Sequence, residues 1–519
     1  MLPPFKNETY LDFSIEKNKK EMENALKKVK EKLAQEYPLI INGKRIFKKE
    51  KFKSINPANP DEILGFFSKA EKEDIDKAIE SGWQVFEKFS SLPKEERASI
   101  LLRAANIMRR KRLELVATII LEVGKNWLEA DADVCEAIDF LEFYAREILR
   151  YQGEQELTPL AGELNELRYL PLGVGAVIPP WNFPLAILTG MTSAAIVCGN
   201  PVVLKPASDA PLIAYKFCEI MMEAGLPEGV LNLITGSGGE IGDYLVSHPR
   251  IRFIAFTGSK DVGLRINELA SKIQKGQIWI KRVIAEMGGK DAIIVDNEID
   301  ELWEEALNGV LASAYGFQGQ KCSACSRLIL HKDIYERFLE DLKEKVKNIK
   351  IGPPEKYENY LGPVINENAY NKILNYIEIG KKEGKLFYGG KGLKAELFGY
   401  FIEPTIFIDV PYDAKIAQEE IFGPVLSVIK ANSFEEALHF ANATEYGLTG
   451  SLYTKNRYKI KEAKDKFFVG NLYINRKCTG ALVGVHPFGG FNMSGTDSKA
   501  GGRDYLLLFL QAKSISEKL

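Results

Sequence analysis

Between residues 71 and 147 apolar side chains recur three and four positions apart, as at Leu101, Leu102, Ala105, Ile107 and Met108, which predicts a series of helices. The pattern then changes. Short apolar runs at 175–179, 201–205, 230–234 and 252–256 predict strands, and the longer stretches 185–198, 210–223 and 239–247 predict helices. That βα rhythm predicts a doubly wound parallel sheet. A second βα series runs from 292 to about 469, so two sheet domains with a cleft between them are expected. The polar, alternating stretch 152–168 predicts an exposed hairpin. The tail 505–510 is too apolar to sit free in water and predicts pairing with another chain or with that hairpin.

Length agrees with more than one domain, because 519 residues exceed what one ordinary core holds. No charged side chain occurs from Tyr169 to Leu204, a span long enough to cross a bilayer. Pro171, Pro179, Pro180, Pro184 and Pro201 interrupt it, and a lipid-exposed helix could not satisfy its backbone around the 179–180 pair. A buried strand, turn and buried helix explain the same run, so no membrane is expected. Lys+Arg 69 against Asp+Glu 71 gives a net charge of -2, which provides no electrostatic reason for nucleic acid or an anionic membrane as partner. The Lys-rich stretch 16–32 also carries Glu and reads as a solvated helix face. Six scattered cysteines fit a reducing, cytoplasmic setting better than a disulfide framework, and the first residues carry no apolar signal core.

Four places carry candidate chemistry. Cys322, in Gly319-Gln-Lys-Cys-Ser323, lies among small and polar residues after a helical run. An ordinary thiol there, with a pKa of about 8.5, is a few per cent thiolate at neutral pH and already nucleophilic. A buried structural cysteine is the plainer reading. Cys322 and Cys325 form C-x-x-C, but no second cysteine pair exists and the four histidines are far apart in sequence, so no metal is expected. Glu286, at a strand end before Gly288 and Gly289, suits a general base or a surface acid. Asn182, within Pro180-Trp181-Asn182-Phe183-Pro184, offers either a rigid amide for an oxyanion or a helix cap. Residues 256–263 (F-T-G-S-K-D-V-G) run from strand into helix, where glycines let N–H groups approach a phosphate.

Taken together, P-W-N-F-P at 180–184, L-K-P at 204–206, F-T-G-S at 256–259, E-x-G-G-K at 286–290, G-Q-x-C at 319–322, E-E-I-F-G-P-V at 419–425 and Asn471 resemble the aldehyde dehydrogenase family over nearly the whole chain, from about 42 to 509. The resemblance implies an α/β fold: a Rossmann-like cofactor domain (1–151 and 171–288), an α/β catalytic domain (289–481), and a small β oligomerisation arm with the C-terminal tail (152–170 and 482–519). It implies Cys322 as nucleophile, Asn182 and the Cys322 N–H as oxyanion hole, and Glu286 as the base that activates deacylating water. NAD or NADP would be held by Lys205 and Ser208 at the adenosine ribose and by Gly258, Ser259 and Gly263 at the pyrophosphate. Glu420 and Phe422 would hold the nicotinamide ribose, with Pro180 and Trp181 alongside. The aldehyde would pass a hydride to the nicotinamide, leave a thioester on Cys322, and be released as the acid. A homo-oligomer, dimer or higher, is also implied.

Residues 317–327 (F-Q-G-Q-K-C-S-A-C-S-R) and 479–484 (T-G-A-L-V-G), followed by P-F-G-G at 487–490, resemble one branch, the Δ1-pyrroline-5-carboxylate dehydrogenases, which act on L-glutamate γ-semialdehyde. That likeness implies that Gly480 and Ala481 N–H groups, with the Ser323 hydroxyl, hold the substrate's α-carboxylate, with Phe183 along its aliphatic stem and Glu136 and Phe488 nearby. A helix-surface acid is the alternative for Glu136. Ser208 departs from the Glu common at that position in NAD-preferring relatives, which implies that NADP is tolerated. Other aldehydes, and a catalytically silent binding protein, are the competing functions.

Overall fold

The structure is a computed structural model, and it describes residues 3–151 and 155–519. Two seven-stranded sheets dominate it. The first runs Arg282–Glu286, Phe253–Thr257, Gly175–Ile178, Val202–Leu204, Leu231–Leu233, Leu39–Ile41 and Lys44–Ile46. Its first five strands are parallel, and the last two join antiparallel. The expected βα alternation is therefore present, with helices Ala186–Val197 and Pro211–Glu223 between strands. The uncharged run 169–204 folds as strand, turn and buried helix; among the described residues no helix is long and apolar enough to cross a membrane. The helix predicted at 239–247 opens as one π turn, Gly238–Gly242, before Asp243–Ser247.

Strand order reverses beside Gly175–Ile178, whose two neighbours lead the chain in opposite directions across the sheet. The crevice outside the carboxyl ends of such strands is where open α/β sheets hold ligands. Pro180-Trp181-Asn182, Lys205, Gly258-Ser259 and Glu286 all follow those ends.

The second sheet runs Lys385–Tyr388, Thr405–Ile408, Val425–Ala431, Cys325–His331, Asp291–Val295, Thr449–Tyr453 and Asn471–Ile474. Only four residues, Met287 to Lys290, separate the last residue of strand Arg282–Glu286 from the start of Asp291–Val295. The amino ends of the second sheet's central strands thus meet the carboxyl ends of the first.

Three features depart from the pattern reading. Strands Gln35–Tyr37, Lys51–Asn56 and Asn59–Ser68 form a small sheet that the pattern reading does not include. The predicted hairpin does not form. Glu163–Pro171 is a single strand, paired antiparallel with the last strand of the chain, Leu510–Lys518, from Pro171↔Leu510 to Glu163↔Lys518. Residues 152–154, where the hairpin was to begin, lie outside the described residues. Alternation shows that one face is solvated but not which strand lies alongside, and here the partner is distant in sequence. The apolar residues 505–509 are a short helical turn, with Tyr505, Leu506 and Phe509 in the first core; only Leu510 onward pairs as strand. Arg282 fastens that turn by donating to the carbonyls of Leu507, Leu508 and Leu510.

The Lys-rich segment forms helix Glu16–Lys30 as expected, but it also buries Met22, Leu26 and Val29, so only part of it is a solvated face.

Candidate active site

The loop that carries Cys322 follows helix Trp303–Tyr315 and is held in an unusual conformation. Phe317 and Gln318 have φ of 48° and 56°, and Gly319 has 66°. Non-glycine residues hold left-handed backbone only where their surroundings over-determine it. Gln318 Nε2 donates to the carbonyls of Gly124 and Pro363, and Ile365 N–H donates to Gln320 Oε1. Gly319 permits the closest approach, since a Cβ there would lie 2.2 Å from the Gly423 carbonyl oxygen.

Cys322 is half-buried, whereas the other five cysteines are buried. Its acidity does not match the ordinary thiol expected from sequence. Burial, and then the carboxyls of Asp291, Glu420 and Glu286, push the thiol up, while the Ser323 N–H pulls it down. Cys325 does not partner Cys322. It hydrogen-bonds to Cys478, and among the described residues no cluster of ligands could hold a metal.

Glu286 ends its strand with the carboxyl inside the protein. Ser498 Oγ donates to Oε1 at 2.7 Å, Ser498 N–H to Oε1 and Gly490 N–H to Oε2, both at 3.3 Å. Burial raises the group to about 7, against the lowering effect of those donors and of Lys499. A carboxyl poised there is half-ionised near neutrality, as a general base requires. Asn182 caps no helix: the cap position of Ala186–Val197 is Leu185, and Asn182 Nδ2 instead donates to the Gln320 carbonyl at 3.1 Å, beside the nucleophile.

A cavity of about 110 Å³ joins these groups. Cys322, Ser323, Glu286, Glu136, Phe183, Gly480, Ala481 and Phe488 are among the residues that line it. A wider cleft of about 750 Å³, between helices Glu16–Lys30 and Arg112–Val123, lies elsewhere and contains none of the candidate catalytic residues. Gly480 has φ of 77°, which glycine adopts without strain. Arg476 shapes the loop, donating to the carbonyls of Thr479 and Gly480, and Leu482 N–H donates to His486 Nδ1. Burial first, then Asp133, raise Glu136 to about 8; its place in the cavity removes the helix-surface alternative.

The motif reading missed Ser498, Arg476, His486 and Lys125. Lys125 is buried, paired with Asp133 at 2.6 Å, and lies 3.9 Å from the Phe183 ring centroid, so a cation backs one wall of the cavity. Ser498 and Lys125 are revealed only by contacts across the fold, and Arg476 and His486 by hydrogen bonds within their own loop.

Of the cofactor candidates, Lys205 and Ser208 follow the carboxyl end of strand Val202–Leu204, and Gly258 and Ser259 that of Phe253–Thr257. Lys205 Nζ is buried with the Pro206 carbonyl as hydrogen-bond partner, and burial lowers it to about 8. Among the described residues no carboxylate bears on it, which leaves an ammonium suited to ribose hydroxyls or a phosphate. Ser208 Oγ donates to the Gly236 carbonyl at 3.3 Å. Ser259 is exposed at the cap of helix Lys260–Ser271, and its side chain makes no cap bond. Gly258 and Gly263 have packing reasons of their own. A Cβ on the first would lie 2.5 Å from the Phe256 ring, and one on the second 2.5 Å from Met287 Sδ. Glu420 Oε1 accepts from Gly289 N–H at 2.9 Å, and burial raises its carboxyl. Trp181 packs edge-on against Phe422 with centroids 5.5 Å apart, after the turn at Pro180. A buried ammonium and an exposed helix amino end, each following the carboxyl end of a strand of the first sheet, are features suited to a dinucleotide.

Comparison with known proteins shows the family. The aldehyde dehydrogenase family matches residues 46–515. The chain is 55% identical over 517 residues to 1-pyrroline-5-carboxylate dehydrogenase of Anoxybacillus flavithermus, and 56% identical over 517 residues to the same-named protein of a Geobacillus species, each alignment covering 100% of both chains. Its fold superposes on the crystal structure of 1-pyrroline-5-carboxylate dehydrogenase from Thermus with bound NAD at a TM-score of 0.98, with 52% identity and 100% of both chains covered. A half-buried cysteine and an inward-turned glutamate in one cavity are thus found in a chain that belongs to the aldehyde dehydrogenase family.

Proposed function

We propose that this protein oxidises L-glutamate γ-semialdehyde, the open form of Δ1-pyrroline-5-carboxylate, to L-glutamate with NAD or NADP, the second step of proline breakdown. One observation carries the reading. Cys322 and Glu286 share a small cavity with the Gly480–Ala481 loop, so reacting groups and a candidate carboxylate anchor lie within one short substrate's reach. Backbone N–H groups in a tight turn are suited to carboxylate capture.

In this reading the Cys322 thiolate adds to the aldehyde carbon, and Asn182 Nδ2 with the Cys322 N–H receives the developing alkoxide. A bound nicotinamide supplies the acceptor for the hydride. Glu286 takes a proton from water, which attacks the thioester carbonyl and returns the thiol. Family members that pass the acyl group to coenzyme A or phosphate generally lack such a base, so Glu286 supports release of a free acid. Gly480, Ala481 and Ser323 hold the α-carboxylate, Phe183 and Phe488 enclose the stem, and Glu136 lies close to them. Lys205 and Ser208 bind at the adenosine ribose, Gly258, Ser259 and Gly263 at the pyrophosphate, Glu420 and Phe422 at the nicotinamide ribose, and Pro180 and Trp181 flank it.

The assignment of residues 1–151 and 171–288 to cofactor binding, 289–481 to catalysis, and 152–170 with 482–519 to an arm and tail belongs to the same proposal. The exposed two-stranded ribbon at 163–171 and 510–518 supports a homo-oligomer, and six free cysteines support a reducing, cytoplasmic setting.

Initial rates of reduced cofactor formation with L-glutamate γ-semialdehyde and with propanal at equal concentration test the proposal. A large preference for the semialdehyde is expected. Equal rates, or turnover of propanal alone, would overturn the substrate assignment.

A further inference from the structure

Residues 3–12 form neither helix nor strand and take no part in the chemistry above. They run antiparallel along helix Trp127–Arg150, tied to it at three levels. Arg146 Nε donates to the Pro3 carbonyl at 3.0 Å, Glu8 N–H to Asp139 Oδ1 at 2.7 Å, and Leu11 N–H to Asp131 Oδ2 at 2.8 Å. The same helix carries Glu136, which lines the cavity that holds Cys322. Asp139 follows three residues later and is buried.

Asn7 joins this helix to the loop of Gly480 and Ala481. Its Nδ2 donates to Asp139 Oδ2 at 2.9 Å and to the Val483 carbonyl at 3.0 Å. A side-chain amide has two N–H donors, so each acceptor receives one. Val483 lines the cavity together with Gly480 and Ala481. The next residue, Gly484, has φ of 75°, and a Cβ there would lie 3.1 Å from the Phe5 ring and 3.0 Å from the Phe143 ring. Those two rings meet edge-on with centroids 5.2 Å apart. The far end of the loop thus rests on one ring from the segment and one from the helix.

We propose that Asn7 is a positioning residue for substrate binding: by bonding Asp139 and Val483 together it sets the Gly480–Ala481 loop against the helix of Glu136 before a substrate arrives. The physical need for such a tie lies in the loop itself. Gly480 and Gly484 both stand in left-handed backbone, and glycine has more conformations to lose than any other residue. Freedom lost on binding weakens affinity, whereas freedom removed in advance does not. Asn7 is not among the residues that line the cavity, so it acts through Val483 and not by touching substrate.

The inference rests on the reading that this loop holds the substrate's α-carboxylate, but the tie is also measurable without substrate. The test compares the full chain with Asn7→Leu, of similar size and without donors, and with Asn7→Ala. Two quantities are read: kinetics with L-glutamate γ-semialdehyde and with propanal, and hydrogen exchange over residues 479–486 in the free enzyme. In both variants KM for the semialdehyde is expected to rise by about threefold to tenfold, with kcat for it and kcat/KM for propanal each within about twofold of wild type. Exchange over 479–486 is expected to quicken by about threefold to tenfold. Unchanged exchange in both variants would overturn the inference. Parallel losses on the two substrates would also overturn it, since they would make Asn7 a general support of the fold. A wild-type enzyme without preference for the semialdehyde would instead sink the substrate reading, and exchange alone would then decide whether Asn7 holds the loop.

Discussion

Ser498 Oγ lies 2.7 Å from Glu286 Oε1, the shortest of three donors that turn this carboxyl into the protein. Each donor favours the charged form, while burial, the larger effect, favours the neutral form and brings the group to about 7. As the base, Glu286 acts when ionised, so kcat should fall as pH drops through about 7. Removing a donor to the carboxylate raises its pKa further. Ser498→Ala should therefore move the acidic limb of the kcat profile upward by about half to one unit, a threefold to tenfold loss at neutral pH recovered on going alkaline. A profile that keeps its position while falling uniformly would show that Ser498 acts by packing.

Glu286→Gln removes the base but not the nucleophile. The first half-reaction should survive, and deacylation should slow by about 10²–10⁴-fold. Rapid mixing should show a burst of reduced cofactor close to one equivalent per subunit, followed by a slow steady state. Intact-mass measurement during that phase should find the acyl group on Cys322. Loss of the burst would show that Glu286 is needed before the thioester forms.

The parts of this site legible in sequence are those built from contiguous residues. Gly288 and Gly289 could be read beside Glu286 because backbone approach is a local property, and the central strands and helices of the first sheet show their apolar periods within a few residues. Contacts that cross the fold were not legible. Ser498 reaches Glu286 across 212 positions; Arg476 and His486 act locally, three or four positions along the Gly480 loop, but no motif marks them. The thiol's acidity was misjudged for the same reason: Asp291 and Glu420 bear on Cys322 only in three dimensions. The ribbon of Glu163–Pro171 with Leu510–Lys518 shows the limit for strands, since alternation gives a face and not a partner.

Ser208 bears on cofactor choice. Its hydroxyl donates to the Gly236 carbonyl and places no charge beside Lys205. A 2′-phosphate would then meet an ammonium without a carboxylate to repel it. The ratio of kcat/KM for NAD to that for NADP should stay below about a hundredfold, and Ser208→Glu should raise it by about tenfold or more, some 1.4 kcal/mol. A wild-type preference for NAD above that bound would refute this account of the adenosine end.

Arg476 offers a way to test the proposed carboxylate anchor, whose donors at Gly480 and Ala481 are backbone groups and cannot be deleted. Its guanidinium holds the carbonyls of Thr479 and Gly480, and so sets where the N–H groups of Gly480 and Ala481 point. Truncating it to alanine loosens the turn without touching Cys322 or Glu286. A bond to a charged donor contributes about 1.5–3 kcal/mol, so KM for the semialdehyde should rise by about tenfold or more. Propanal has no carboxylate to lose, and its kcat/KM should change by less than about twofold. The split between the two substrates separates anchoring from general damage: a parallel loss on both would mean that the loop supports the fold and leaves the substrate to other residues.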